Sequence, residues 1–413
     1  MARPRKSERE KPSAERRHGV ERPGRLAAQA EPDASGARGR ETFFATCAPG
    51  LEPLLDRELR ERRFARVERQ VGGARFEGTL RDAWIANLRL RTAVRVLLRL
   101  ARFPASDADA LYAGARGVDW SRWLARGGTL AVAAHTSGSA LDHSRFVEQR
   151  VKDAVVDQLR EAWGERPSVE REDPDLRIHA HLARDRCTLL VDTSGEPLHK
   201  RGWRRYQGRA PLAETLAAAL VMLSGWDRRS PLLDPFCGSG TLLVEAASLA
   251  GGFAPGALRE SFAFERLPGH DAAAWRDVRS RARSAGELPR KLVIAGSDRD
   301  PAAIEGAREN LRAAGLGERV SLEVAGALDL APRKGWNGWI VTNPPYGERV
   351  GTKREAAELF RRFGEVLRER CAGFHVAVLC GDRDQARALA LPESKMHRLW
   401  NGPIECLLVT GKV

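Results

Sequence analysis

The sequence predicts an α/β protein in which a doubly wound, mostly parallel sheet follows a smaller α+β region. Beyond Trp203, short apolar runs alternate with helical segments, which is typical of parallel strands with helices on both faces. Before Trp203, strands and helices mix without that alternation. The 413 residues are enough for two or three domains, each with its own core.

Charge and composition limit the function classes. The chain carries 69 basic and 55 acidic residues, a formal net charge of +14, which favours polyanions such as nucleic acid or anionic lipid. A hydrophobic content of 42% excludes a wholly disordered chain. No apolar run reaches the ~18–20 residues needed to cross a bilayer, and the charged N-terminus lacks a signal-peptide core. We therefore expect a soluble cytoplasmic protein without a membrane partner.

The six cysteines show no metal-ligand spacing, since none of them forms a Cys-x-x-Cys pair. We expect reduced, buried thiols and no metal site. The cysteines are Cys47, Cys187, Cys237, Cys371, Cys380 and Cys406.

Residues 1–40 predict a disordered basic arm. They hold eleven basic and six acidic residues, four prolines and no aromatic residue, so they cannot bury enough apolar surface to offset the entropy of ordering. The arm is either a tail that seeks phosphates or a solvated extension without a role.

Residues 41–200 mix strands and helices in a way that indicates a region at least partly ferredoxin-like. Strands are predicted at 42–46, 74–78, 130–135, 176–182 and 187–192. Helices are predicted at 50–63, 80–100 and 144–163, the second passing into a strand that ends near Phe103.

Residues 201–413 carry the alternation of a parallel sheet. Strands are predicted at 232–235, 292–298, 320–324, 339–343, 374–380 and 404–410. Helices are predicted at 241–250, 301–314 and 356–370.

The first chemical motif joins a strand to a helix. It consists of Asp234, Pro235, Phe236, Cys237, Gly238, Ser239, Gly240 and Thr241. Its glycines let the backbone turn tightly and approach a ligand at the helix N-terminus. A Gly-x-Gly alone would equally suit a dinucleotide fold, although Leu243 occupies the place of that fold's third glycine. The alternative is a tight turn without a ligand.

The second motif places a carboxylate after the next strand. Asp298 follows Gly296 and Ser297, where it can accept hydrogen bonds from both hydroxyls of a ribose. We assign Asp298 and the adjacent Arg299 to a nucleoside-like cofactor. Asp300, immediately before Pro301, is expected only to cap the next helix.

The third motif distinguishes between reactions. A strand ends in Asn343, Pro344, Pro345 and Tyr346, and two successive prolines remove two N–H donors and stiffen the loop. The Asn343 amide oxygen and backbone carbonyls are then available to accept from a planar exocyclic amine. Tyr346 offers a face on which a base can stack. The alternative is an ordinary proline turn.

The motifs together resemble those of class I S-adenosylmethionine-dependent N-methyltransferases that act on exocyclic amines of bases. The segments 199–204, 210–216 and 343–350 are similar to those of the RNA guanine-N2 methyltransferases that carry a THUMP domain, in particular the bacterial enzymes for large-subunit (23S) ribosomal RNA. Segments 173–178 and 190–195 resemble the strands that close a THUMP domain. The resemblance covers residues 41–413.

The resemblance implies a Rossmann-like methyltransferase domain with a mostly parallel seven-stranded sheet at 201–413. It implies a ferredoxin-like plus THUMP RNA-binding region at 41–200. S-adenosylmethionine would be the methyl donor, with Pro211, Glu214 and Thr215 near its methionine part. The family usually has an acidic residue at the position of Gly326, where it accepts from the cofactor's adenine amine. Here either a backbone group or Asp329 substitutes, or the affinity for the cofactor is weaker.

Three rival functions remain open. The same chemistry could act on transfer RNA, which THUMP domains also serve. A DNA adenine-N6 methyltransferase would share Asn343 to Tyr346 but would leave residues 42–194 unexplained. A non-catalytic RNA-binding protein would bind no S-adenosylmethionine.

Overall fold

The computed structural model describes residues 39–208, 211–333, 335–346 and 352–413. The predicted disordered arm at 1–40 therefore lies almost entirely outside the described residues. The first strand begins at Glu41, where the sequence predicts that order begins. Within the described residues, no helix has the length and apolar character needed to span a membrane.

The first half of the described chain forms one eight-stranded sheet with four helices. The strands are β1 (Glu41–Cys47), β2 (Ala65–Gln70), β3 (Gly73–Gly78), β4 (Ala93–Pro104), β5 (Thr129–Ser137), β6 (Ser168–Val169), β7 (Leu176–Ala183) and β8 (Arg186–Asp192). The helices are α1 (Glu52–Glu61), α2 (Leu80–Arg89), α3 (Ala108–Arg116) and α4 (Ser144–Trp163). The strand order is β2-β3-β1-β4-β8-β7-β5-β6. β5 runs parallel to β6 and β7, and the other neighbouring pairs are antiparallel.

The predicted helix at 80–100 is wrong beyond Arg89. A capping box between Thr79 and Asp82 starts α2, which ends at Arg89, and β4 follows at Ala93. β4 pairs with both β1 and β8, so partners distant in sequence bury its apolar residues. A stretch of leucines interrupted by arginines is compatible with a helix and with a strand. The sequence pattern predicts neither β2 nor α3.

The second half forms a seven-stranded sheet. Its strands are β9 (Leu232–Asp234), β10 (Ile294–Asp298), β11 (Ser321–Val324), β12 (Trp339–Thr342), β13 (His375–Cys380), β14 (Lys395–Asn401) and β15 (Ile404–Lys412). Its helices are α5 (Glu214–Leu223), α6 (Thr241–Ala250), α7 (Ala272–Ser284), α8 (Pro301–Ala313), α9 (Lys353–Arg370) and α10 (Arg383–Ala388).

The order β11-β10-β9-β12-β13-β15-β14 confirms the predicted doubly wound sheet. The first five strands are parallel, and β15 is antiparallel to both β13 and β14. The chain leaves β9 through α6 to β10 on one side and later returns to β12 on the other side. Such a reversal opens a crevice at the carboxyl ends of the strands.

A buried polar network joins the two halves. Arg201 donates to the Arg91 carbonyl at 2.6 Å and to Glu245 Oε1 at 3.2 Å. Arg91 in turn donates to Ser248 Oγ at 3.0 Å and to the Phe253 carbonyl at 2.6 Å. Since Arg91, Arg201 and Glu245 are all buried, α6 of the second half is held firmly against the first half.

Candidate active site

The carboxyl ends of β9, β10 and β12 open into a cavity of about 1290 Å³. It gathers most of the residues predicted from the three motifs, together with Pro211, which only the resemblance implied. Those that line it are Pro211, Asp234, Pro235, Phe236, Cys237, Gly238, Ser239, Thr241, Asp298, Arg299, Asn343, Pro344 and Pro345.

The glycine loop between β9 and α6 depends on left-handed backbone. Gly238 and Gly240 have φ of +51° and +79°, a region that other residues enter at a cost. A Cβ at Gly240 would lie 3.2 Å from the Ala307 Cβ, so this glycine also allows α8 to approach. Gly240 does not itself line the cavity. Its role is to bend the chain so that α6 begins at Thr241 beside the ligand space.

Asp234 ends β9 in a fully buried position. Its Oδ1 accepts from Thr342 Oγ1 at 2.6 Å and from the Phe236 N–H at 3.2 Å, which ties β12 to β9. Its Oδ2 is buried and has no hydrogen-bond partner in the described part of the chain. Burial raises the pKa of Asp234 to about 7, and the nearby charge of Asp298 adds to the rise, against the opposing effect of the two hydrogen bonds. The site therefore presents a carboxylate that a cationic ligand would stabilise.

Asp298 ends β10 across the loop from Asp234. Its Oδ2 accepts from the Gly238 N–H at 3.0 Å, and its Oδ1 accepts from the Asp300 N–H at 3.0 Å. The carboxylate is thus fixed in the cavity wall with lone pairs left for hydroxyl donors. Asp300 caps α8 by accepting from the Ala302 N–H at 2.9 Å, which confirms its predicted capping role.

Asn343 follows β12 and faces the same cavity. Its Oδ1 is buried and has no hydrogen-bond partner among the described residues. An orphaned buried acceptor costs free energy until a donor reaches it. Pro344 and Pro345 line the cavity beside it, so this edge of the site offers acceptors and lacks proline N–H donors.

Tyr346 does not offer the open face expected of it. Its side chain is 3% exposed, and its hydroxyl accepts from Asn401 Nδ2 at 2.7 Å. A Cβ at Gly381 would lie 2.9 Å from the tyrosine ring, so the missing side chain at Gly381 makes room for the ring. In this conformation Tyr346 anchors the loop to β14 and does not line the cavity.

Glu214 and Thr215 lie at the start of α5 and are buried away from the cavity wall. Glu214 accepts from Arg204 Nε at 2.8 Å. Arg204 also donates to the Leu212 carbonyl at 3.0 Å and to Thr241 Oγ1 at 3.1 Å. Glu214 therefore acts with Arg204, which links α5 to the first residue of α6.

The motifs did not reveal several residues that shape the site. Asn310 on α8 is buried; its Nδ2 donates to the Ser239 and Tyr206 carbonyls at 3.0 and 2.9 Å, and its Oδ1 accepts from the Tyr206 N–H at 2.9 Å. An asparagine inside a helix gives no local signal of such a role. Tyr206, Gly208, Glu355, Glu358 and Arg362 also line the cavity.

Gly326 and Asp329 both line the cavity near the end of β11. A Cβ at position 326 would lie 2.8 Å from Asp329 Oδ2. The glycine therefore leaves space that the Asp329 carboxylate uses. The backbone at Gly326 and the Asp329 side chain both lie in the cavity wall. Either could therefore replace the acidic residue that the family usually has at position 326.

The cysteines behave as predicted, since all six are free and buried. Burial raises the pKa of Cys237 well above its usual value, and the charges of Asp234 and Asp298 add to the rise. The thiol in the cavity wall is thus protonated near neutral pH and unsuited to nucleophilic attack. No group of three or more metal-binding side chains occurs among the described residues.

The strand order, the glycine loop and the acceptors after β12 define the protein as a class I methyltransferase fold with a nucleoside-type cofactor cleft. Residues 201–410 match the family model for the "RMKL-like, methyltransferase domain", and the chain belongs to that family. Residues 105–192 match the THUMP domain, and residues 42–97 match the "RlmL ferredoxin-like domain". The resemblance stated from the motifs is confirmed.

Known relatives agree with this family. The chain is 43% identical over 372 residues to "Ribosomal RNA large subunit methyltransferase K/L" of Methylococcus capsulatus, covering 89% of this chain and 50% of that protein. It spans about half the length of the curated relatives it matches.

Two solved structures cover nearly the whole fold. SMU.472, crystallised as a complex with SAH, is 30% identical with a TM-score of 0.82, over 91% of this chain and 98% of that one. A predicted N6-adenine-specific DNA methylase from Listeria monocytogenes is 30% identical with a TM-score of 0.81, over 91% of this chain and 97% of that one.

Proposed function

We propose that this chain transfers a methyl group from S-adenosylmethionine to the exocyclic N2 of a guanine in RNA, most directly large-subunit ribosomal RNA. The observation that carries the proposal is the pair of orphaned buried acceptors, Asp234 Oδ2 and Asn343 Oδ1, at the same cavity. One is a carboxylate suited to a cation, and the other is an amide oxygen suited to an N–H donor. With ribosomal RNA as the substrate, we expect the reaction to occur in the cytoplasm.

The cavity residues fit S-adenosylmethionine. The donor supplies an electrophilic methyl group on a sulfonium and also carries an ammonium group. Asp234 would complement that positive charge, and Asp298 would accept from the ribose hydroxyls. Asp329, beside Gly326, would accept from the adenine amine. Pro211 would border the methionine end. The Glu214–Arg204 pair, whose arginine also donates to the Leu212 carbonyl, and the buried Thr215 would act on the cofactor only through the position of the start of α5.

Asn343 would act on the guanine. The lone pair of the guanine amine is delocalised into the ring, which makes the amine a poor nucleophile. Asn343 Oδ1 and the Pro344 carbonyl, by accepting its two N–H bonds, would favour a more pyramidal amine with a localised lone pair. Pro345 stiffens the loop that holds them. The residues thus contribute chiefly through positioning and electrostatics.

Tyr346 supports this arrangement indirectly. Its buried ring and its bond to Asn401 hold the end of the loop that carries Asn343. Stacking of the target base on Tyr346 would require the ring to leave this position, so we assign it first to positioning the loop.

The region before Trp203 favours RNA over DNA as substrate. The support for RNA is the THUMP match at residues 105–192 together with relatives named as ribosomal RNA methyltransferases. The Listeria chain titled a predicted DNA methylase shares the same region, so DNA is kept as a substrate in the test. We propose the division already expected from sequence, with 41–200 gripping RNA and 201–413 binding the cofactor and the target base.

The test uses tritium-labelled S-adenosylmethionine with three substrates in parallel. These are unmodified large-subunit ribosomal RNA, transfer RNA and duplex DNA. The proposal predicts label in ribosomal RNA alone, and the Asn343→Ala protein serves as the control for background. Label only in transfer RNA would mean that the substrate is transfer RNA, with the same methyl-transfer reaction. Label only in DNA, or cofactor binding without transfer to any substrate, would overturn the proposal.

A further inference from the structure

One face of the eight-stranded sheet carries no helix from the described part of the chain, and we call it the open face. α1 packs on β3, α2 and α3 pack on β4, and α4 packs on β5 and β7. The strand pattern shows that these helices share a side. On β7, Leu176, Ile178, Ala180 and Leu182 are buried, whereas the alternating residues between them are not. The outward side chains of β1, β4, β8, β7 and β5 line a single concave groove of about 530 Å³.

The groove is basic. Four arginines and three histidines line it, and none of the lining residues is Asp or Glu. Arg75 is paired with Glu68 at 2.8 Å, so its charge is partly compensated. Arg102 on β4 and Arg186 on β8 are exposed and make no ion pair with any described residue. At Arg102 and Arg186 the open face therefore carries positive charge that no described acidic side chain pairs with.

The two exposed arginines are suitably spaced for a nucleic-acid backbone. Pro104 pairs with Arg186 and Arg102 pairs with Thr188, so Arg102 and Arg186 are diagonal neighbours on adjacent antiparallel strands, about 7–8 Å apart. Successive phosphates of an extended strand have a comparable separation. Guanidinium groups bind phosphates through paired N–H donors.

Two histidines add a stacking surface. His135 on β5 and His181 on β7 face each other in register, and their rings stack with centroids 5.6 Å apart and 13° between the planes. Both residues are exposed. Histidine rings are among the groups on which unpaired RNA bases stack.

We propose that the open face binds a single-stranded segment of the RNA substrate, with phosphates on Arg102 and Arg186 and a base on the His135–His181 stack. This inference rests on the proposed RNA substrate and adds a second site to it. In a duplex the bases are stacked on one another, so none would be free to stack on the two histidine rings. A flat anionic membrane does not fit a concave groove.

The test measures binding of the full chain to a labelled oligouridylate of about ten nucleotides, which matches a typical single-strand site. Titrations at several salt concentrations and a constant pH of about 8 give the dissociation constant and its salt dependence. Arg102→Gln/Arg186→Gln should weaken binding about tenfold or more and make the salt slope shallower by about 1.4, since each single-strand phosphate contact contributes about 0.7.

The histidine variant has a different expected result. His135→Ala/His181→Ala should weaken binding at least about fivefold through lost stacking, with the salt slope unchanged. The matched control is Arg81→Gln/Arg145→Gln, which removes two exposed arginines from α2 and α4 on the covered side. It removes the same net charge as the Arg102/Arg186 variant, and this general loss of charge should weaken binding of the oligouridylate by no more than about twofold.

The outcomes separate the two proposals. Equal losses in the control and the Arg102/Arg186 variant, or a loss for duplex RNA or anionic vesicles only, would overturn the open face as a single-strand site. If the arginine and histidine variants weaken oligouridylate binding as expected but the wild type methylates no RNA, the proposed function is rejected and the open face stands as a single-strand binding site.

Discussion

At the scale of single residues, the site depends on how the protein compensates buried polar atoms. Asp234 and Asn343 each keep one oxygen that no described residue contacts through a hydrogen bond, while Asp298 and Asp300, two residues apart, have separate tasks. Because a neutral or shortened side chain changes these atoms with little change in packing, substitutions at these positions test the assigned roles most cleanly.

We expect cofactor affinity to depend on pH through Asp234. Its pKa of about 7 in the ligand-free site means that it is largely protonated below pH 7, whereas a cationic ligand favours the ionised form. Binding should therefore release a proton below pH 7. Calorimetry should show affinity for S-adenosylmethionine falling as the pH drops from 8 to 6, by at most about tenfold per unit.

Asp234→Asn should bind more weakly at pH 8 and lose this dependence. The sign for stability is opposite: since the folded pKa exceeds the ordinary value of 3.8, the ligand-free protein loses stability as the pH rises from about 4 to about 7. Asp234→Asn should not show that loss. The same pH profile in both proteins would contradict the role given to Asp234.

Asp298→Ala should raise the dissociation constant of S-adenosylmethionine at least about tenfold, because it loses hydrogen bonds to a charged acceptor. Asp300→Ala is the matched control. It loses the cap of α8 and should lower stability by about 1 kcal/mol with cofactor affinity retained. Melting curves and calorimetry on both proteins separate the two effects, and a cofactor affinity equal to wild type in Asp298→Ala would contradict the ribose assignment.

The positions of the main site residues could be predicted from the sequence because each lies at the end of a predicted strand. Asp234, Asp298 and Asn343 follow apolar runs, and parallel strands bring such positions to one edge. The orientation of Tyr346 could not be predicted, because it depends on Gly381 and Asn401, which follow it by 35 and 55 positions. Asn310 was missed as a support because its partners Tyr206 and Ser239 are 104 and 71 positions away.

At the scale of elements, the turn from β9 into α6 is the most constrained feature of the site. Gly240→Ala must place a side chain at φ +79° and 3.2 Å from the Ala307 Cβ. Gly252, just after the end of the same helix, also has a positive φ of +69°, but a Cβ there would meet no described atom within 4 Å.

Both alanine variants should lose about 1–2 kcal/mol from the left-handed backbone. Gly240→Ala should lose about 1 kcal/mol or more beyond that, since α8 must shift. Urea unfolding of the two proteins provides the comparison. Equal losses would show that the contact between the loop and α8 is not tight.

β4 shows where local pattern fails at this scale. Its residues favour a helix in the sequence because leucines and arginines alternate irregularly along it, and a bulge between Arg99 and Ala101 breaks the period of two. Only its pairing with β1 and β8 fixes it as a central strand. By contrast, α4 and α6 were predicted with the correct bounds. α4 has apolar residues at helical spacing, and the glycine turn before Thr241 marks the start of α6, which is buried on all sides.

At the scale of the whole molecule, the two halves share a buried charge network. Arg201→Met should remove a guanidinium from Glu245 and leave that carboxylate buried beside Arg91 alone, whose Nη1 is 3.7 Å away. Loss of one partner of a buried pair costs about 3–5 kcal/mol. The double variant Arg201→Met/Glu245→Leu should recover at least half of that loss.

Urea unfolding of the single and double variants measures this coupling. Purely additive losses would mean that Arg201 and Glu245 do not depend on each other, and that the halves are joined chiefly by apolar packing. The open face and the cofactor cavity would then be held in register by other contacts.

The most direct test of the bond that we propose, between the transferred methyl group and guanine N2, is nucleoside mass spectrometry. Unmodified large-subunit ribosomal RNA is incubated with the full chain and S-adenosylmethionine bearing a deuterated methyl group, then digested to nucleosides. We expect deuterated N2-methylguanosine with the wild type. We also expect near loss of that product with Asn343→Ala, whose cofactor affinity stays within a few-fold, because the amide acts mainly in the transition state. Deuterated N6-methyladenosine instead, or full N2-methylguanosine from Asn343→Ala, would contradict the claim.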